Sequence, residues 1–153
     1  DTRLSLAARL ASLGARTLGQ AVADYLAGCL PEVPQAEEGA CYAPRLEKRE
    51  GELDWTAAAQ ELANRVRGLY EWPGAFTFAG GQLLKVHRAA AAPAAAAAPA
   101  GTLVGAAARG PVWVACGRGQ LGLEEVQLAG KGRVEAAALV RGRVLRPGMQ
   151  LGR

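Results

Sequence analysis

The chain has 153 residues, half of them hydrophobic, with 18 lysines and arginines against 14 aspartates and glutamates, a formal charge of +4 and a pI near 9.3. That length supports roughly one domain with its own core plus an appendage, and no apolar run reaches the roughly 18 residues that would cross a bilayer. The three cysteines, Cys29, Cys41 and Cys116, are odd in number and lack CxxC spacing, which argues against a disulfide framework or a zinc site and for free thiols in a reducing cytosol.

From Thr2 to about Gly28, the positions Leu6, Leu10, Leu13, Thr17 or Leu18, Ala21 and Tyr25 recur at threes and fours, which places them on one stripe of a long helix. Asp1 or Thr2 can cap its start, and Gly28 with Pro31 can close it. No neighbouring segment offers this stripe a partner, so the helix reads as the last element of a domain lying before Asp1, or as one that docks on such a domain. Leu30 to Glu52 mixes Pro31, Pro34, Gly39, Pro44 and Gly51 with charges of both signs, the composition of an extended, solvated connector.

Asp54 or Thr56 can cap a second helix running to Gly68, with Ala58, Leu62, Val66 and Leu69 on its inner side. The turn Trp72-Pro73-Gly74 must end that helix and begin a strand, and Trp55 and Trp72 are expected to pack around it. Ala75 to Phe78 and Gln82 to His87, joined by Gly80-Gly81, form a hairpin. The alanine-rich stretch from Ala89 to Ala100 is broken by Pro93 and Pro99 before any stable helical length, and is expected to be a mobile loop.

Three further strands are predicted at Thr102 to Ala106, Val112 to Cys116 and Gln120 to Gln127, with Trp113 in the core, and a short helix at Val134 to Val140. Strands of about five residues at about ten-residue spacing make a small antiparallel barrel. The fold class is therefore mainly β with short helices, an OB-like barrel preceded by a long N-terminal helix and an extended linker. Alanine supplies much of the apolar content and aromatics are only 5%, so the core should be thin.

Catalytic chemistry is sparse. His87 is the one histidine, with no serine, cysteine or carboxylate at informative spacing, and the glycines sit in hairpin turns rather than in a phosphate loop opening a helix. The basic residues carry more information. From Gly101 onward Arg109, Arg118, Lys131, Arg133, Arg141, Arg143, Arg146 and Arg153 face only Glu124, Glu125 and Glu135. Many lie in turns, where the loops of a small barrel gather and arginine's planar fork can grip a phosphate. Scattered solubilising charge would give the same count.

Ordered motifs along nearly the whole chain resemble methionyl-tRNA formyltransferases. SLAARLASLGARTL resembles the helix that ends their formyltransferase domain, and PQAEEGACYAPRLEKREGELDW resembles their linker. RVRGLYEWPGAFTFAGGQLLKV is similar to the start of their C-terminal domain, and VWVACGRGQLGLEEVQLAGKGRVEAAALVRGRVLRPGMQLG to its closing strands and helix. The resemblance implies a division into residues 1–30, the C-terminal helix of the formyltransferase domain; 31–52, a linker; and 53–153, an OB-like tRNA-binding domain.

That family transfers a formyl group from 10-formyltetrahydrofolate to methionyl initiator tRNA, with its catalytic residues in an N-terminal Rossmann-like domain that this segment does not match. The implied partners are initiator methionyl-tRNA and that N-terminal domain, and a cytoplasmic monomer with no membrane association and no cofactor in this segment is expected. By resemblance the tRNA contacts fall on Arg45 and Lys48 in the linker and on Arg141 and Arg143 after the last helix. Lys131 and Arg133 join them from charge and position. The rival expectation is a C-terminal module of a related formyltransferase acting on a nucleotide sugar, or of formyltetrahydrofolate dehydrogenase, that touches no RNA.

Overall fold

The computed structural model describes residues 1–93, 98–106 and 109–152. The chain divides into two compact units, one of residues up to Leu46 and one running from Glu47.

The first unit holds helix α1, Arg3–Leu26, and an extended segment without regular structure after it. The helix starts where Ser5 Oγ donates to the Asp1 carboxylate (3.1 Å) and ends with Gly28 in the left-handed region, its N–H bonded to the Tyr25 carbonyl. The predicted stripe is present, and none of its residues is buried. No helix among the described residues is long and apolar enough to cross a membrane.

The second unit opens with a 3-10 turn, Lys48–Gly51, followed by helix α2, Ala59–Gly68. Strands β1 (Ala75–Ala79), β2 (Gln82–Ala92), β3 (Leu103–Ala106), β4 (Val112–Ala115), β5 (Gln120–Leu128) and β6 (Val134–Glu135) follow, and helix α3 (Ala136–Arg141) comes last. The sheet is antiparallel throughout in the order β1-β2-β5-β4-β3, with β6 added to β5.

This is the mainly-β, barrel-like architecture expected, but the strand ladder does not close on itself. The chain's last residues lie between the two edges instead. Gly152 N–H donates to the Phe78 carbonyl beside β1 (2.9 Å), while Leu151 N–H reaches Gly101 and Leu103 N–H reaches Met149 (2.8 Å each) beside β3. The backbone groups of both edge strands thereby find partners without a seventh strand.

The core is built from inward positions at period two. Leu84 and Val86 of β2, Val112 and Val114 of β4, and Leu121 and Leu123 of β5 are buried together with Leu62 and Val66 of α2. Aliphatic residues dominate it, and Trp55 is the one buried tryptophan, its indole N–H donating to Thr77 Oγ1 (3.0 Å).

Several local expectations are corrected. β2 continues through the alanines to Ala92, pairing Ala89 with Leu123 and Ala92 with Gln120. The predicted loop therefore begins later, and its Ala94 to Ala97 lie outside the described residues. Alanine has poor strand propensity, but a waiting partner strand outweighs it. α2 starts at Ala59 rather than after Asp54, because the Asp54 carboxylate is taken by the Thr56 backbone and hydroxyl (3.0 and 2.7 Å) and the Ala59 N–H goes to the Arg118 carbonyl (2.8 Å). Residues 134 and 135 are strand, not helix, since they pair with Val126 and Glu125. Trp72 is exposed rather than packed on α2. Trp113 is half-buried on the face opposite Val112 and Val114, against Gly122, where a Cβ would meet its ring at 2.8 Å.

Candidate nucleic-acid interface

The basic side chains singled out from the sequence fall at defined points of the second unit. Gly130, in the left-handed region, lets the β5–β6 connection turn tightly and project Lys131, and Arg133 follows just before β6. Both are exposed. The Arg133 guanidinium donates to Tyr70 Oη (3.2 Å) and lies 5.9 Å from the centre of that ring, a cation–π arrangement that orients the fork without neutralising it. The bond to Tyr70, more than the nearby carboxylates Glu125 and Glu71, raises the Arg133 pKa and keeps it charged.

At the far end of the β6–α3 segment, Arg141 closes α3, Arg143 sits at φ 59° just beyond it, and Arg146 follows with its Nε donating to the Arg143 carbonyl (3.1 Å). All three are exposed. The left-handed residue at position 143 reverses the chain direction, which gathers these arginines around one helix end. Two strand residues and five helical residues lie between Arg133 and Arg141.

Lys48 is exposed in the 3-10 turn of the second unit, while Arg45 is exposed in the first unit. Among the described residues Arg45, Lys48, Lys131, Arg133 and Arg143 form no ion pair with a carboxylate. The ion pairs near them use other arginines, Arg49 with Glu47 (2.7 Å) and Arg88 with Glu124 (2.6 Å). Arg153 lies outside the described residues.

The surroundings of Arg133 come from residues far apart in the sequence. His87 is half-buried with Nε2 3.0 Å from Gln127 Oε1, and Lys85, Glu71 and Tyr70 border the same small cleft. Its one sequence signal was the outward alternation of Lys85 and His87 along β2. A second cleft, of about 650 Å³, is lined chiefly by alanine and glycine between the start of α2 and residues 116–119. Its thiol, Cys116, is buried and has its pKa pushed up to about 11 by that burial. It stays protonated and offers no nucleophile near neutrality.

The second unit is thus a mainly β domain, a barrel-like antiparallel sheet with a flanking helix, basic turns and a terminal segment joining its edges. Residues 45–144 match the family described as "Formyl transferase, C-terminal domain", and the chain belongs to that family. Its relatives include the methionyl-tRNA formyltransferase of Myxococcus xanthus (strain DK1622), 45% identical over 150 residues, covering 98% of this chain and 47% of that protein. The methionyl-tRNA formyltransferase of Thiobacillus denitrificans (strain ATCC 25259 / T1) is 43% identical over 153 residues, covering 99% of this chain and 48% of its own length. The chain thus spans about half the length of the relatives it matches.

Among solved structures, HypX from Aquifex aeolicus in complex with tetrahydrofolic acid has a similar fold. Its TM-score is 0.58 at 17% identity, covering 84% of this chain and 22% of that one.

Proposed function

We propose that this chain is the tRNA-docking part of a methionyl-tRNA formyltransferase, which carries a formyl group from 10-formyltetrahydrofolate to the amino group of methionyl initiator tRNA in the cytoplasm. The observation that carries the reading is the set of exposed cations at the two ends of the β6–α3 segment, on a domain whose relatives bear that name. Cations at both ends of this segment can contact separate phosphates of a folded RNA. Such contacts position the molecule without reading its bases.

On this reading formyl transfer takes place in a separate catalytic domain. The uncovered stripe of α1, with Leu6, Leu10 and Leu13 exposed, is the surface that meets that domain. Arg141, Arg143, Lys131 and Arg133 hold the tRNA, and Arg45 and Lys48 extend the contact along the connector.

Fluorescence anisotropy with labelled initiator tRNA tests this. Binding in the millimolar-to-micromolar range should weaken steeply with salt, because each neutralised phosphate contributes about one unit of slope in log affinity against log salt. Reversing both Arg141 and Arg143 to glutamate should abolish most of it. An affinity indifferent to salt, or unchanged in that double variant, would rule the docking role out.

A further inference from the structure

We propose that the cleft bounded by Tyr70, Lys85, His87 and Arg133 seats one phosphate of the bound RNA, with His87 acting as a proton-switched ligand. This deepens the docking reading above and rests on it.

The backbone prepares the site. β2 pairs Val86 with Val126, then Arg88 with Glu125, then Ala89 with Leu123, so the ladder is irregular at this point and skips His87 on β2 and Glu124 on β5. His87 keeps the outward alternation of Lys85, so both side chains stand on the same face as Gln127, the ladder partner of Lys85. The ring's tautomer follows from its neighbour. Gln127 Nε2 donates to the Lys131 carbonyl (2.7 Å), which turns Gln127 Oε1 toward the imidazole, so Nε2 of His87 carries the hydrogen. In the neutral ring Nδ1 is then a bare acceptor. Once protonated it becomes a second donor.

The surrounding charges make that proton decisive. Lys85 stands opposite Gln127 in the β2–β5 ladder, and Arg133 is steered by Tyr70. Against these two cations stand Glu71, from the turn after α2, and Glu125, from β5. With His87 neutral, the cations and carboxylates balance. With His87 protonated, the site gains a net positive charge and a third directed donor.

In the empty cleft the His87 pKa is lowered, first by burial and then by Arg133 and Lys85, with Gln127 and Glu125 opposing. An anion set between the three basic groups offsets that repulsion and draws a proton onto the ring. The cleft holds about 120 Å³, room for about four waters by their share of liquid volume, or for one tetrahedral oxyanion.

The chain contains a single histidine, so its imidazole resonances need no assignment. Histidine-selective NMR titration of the 153-residue protein should be run alone, with sulfate, and with deacylated initiator tRNA, whose binding is followed independently by anisotropy. The expected result is a His87 pKa raised by about one unit with tRNA, equivalent to tenfold tighter binding to the protonated form. The rise should shrink in Lys85→Ala and Arg133→Ala, both exposed changes whose folding the rest of the spectrum verifies.

If tRNA binds while the His87 titration stays put, the phosphate seat is overturned and the docking reading stands. If sulfate moves His87 but tRNA does not bind at all, the docking reading and the RNA assignment both fall, leaving a small-oxyanion site. If neither probe moves it, the cleft binds no phosphate.

Discussion

Helix α1 and the barrel-like unit use the same residues to opposite ends. Leucines 6, 10, 13 and 18 of α1 are 43% to 63% exposed, while Leu62, Leu84, Leu121 and Leu123 are 0% or 1% exposed. The helix has a clean apolar stripe but nothing in its unit to lay it against. The barrel leucines face one another across paired strands and α2. Periodicity therefore defines a surface that can be buried, and burial itself needs a second surface in register with it.

The sharpest way to break this contrast is a matched truncation. Leu121→Ala should cost about 2–5 kcal/mol in urea unfolding, the usual loss for a filled core position. Leu10→Ala should stay within about 0.5 kcal/mol, as exposed substitutions do. Comparable losses would mean that α1 is buried in solution.

Glycine gives the next contrast. A Cβ on Gly117 would lie 1.8 Å from the Thr56 carbonyl oxygen, whereas one on Gly14 meets nothing within 4 Å. Gly117→Ala should destabilise by about 1–3 kcal/mol through forced displacement. Gly14→Ala should strengthen α1 by about 0.5–1 kcal/mol, read as helicity by circular dichroism.

Within the barrel-like unit alone, Trp55→Phe removes the donor to the buried Thr77 hydroxyl and should cost about 1–2 kcal/mol in the same unfolding assay.

The smallest effect is a pH dependence. Because the folded His87 pKa lies below its ordinary value of 6.5, the unfolded chain takes up the proton first. Stability should then decline as pH falls from 6.5 toward the folded pKa. Unfolding of His87→Gln measured across that window should lack this part of the slope, and an identical slope would mean that burial does not act on His87 as described.

Much of this molecule was legible before its coordinates. The stripe of α1, the Gly80-Gly81 hairpin, the strands around Val112 and Leu121 and the family motifs all follow from spacing and turn chemistry, which act within a few residues. The placement of Arg133 against Tyr70, 63 residues away, was not legible, and neither was the pairing of β2 with β5 that brings His87 within reach of Gln127.

Sequence by itself determined the element types, their order and the excess of cations near the C-terminus, because helical and strand periodicities and glycine turns are properties of the local backbone. Only the tertiary structure decided that alanines 89 to 92 complete β2, that Asp54 caps a turn instead of α2, and that residues 148–152 bridge the edges of the sheet. The strand extension, the bridging of the edges and the start of α2 at Ala59, whose N–H goes to the Arg118 carbonyl, each depend on a hydrogen-bond partner supplied by a distant segment, and the free energy of making that bond outweighs local propensity.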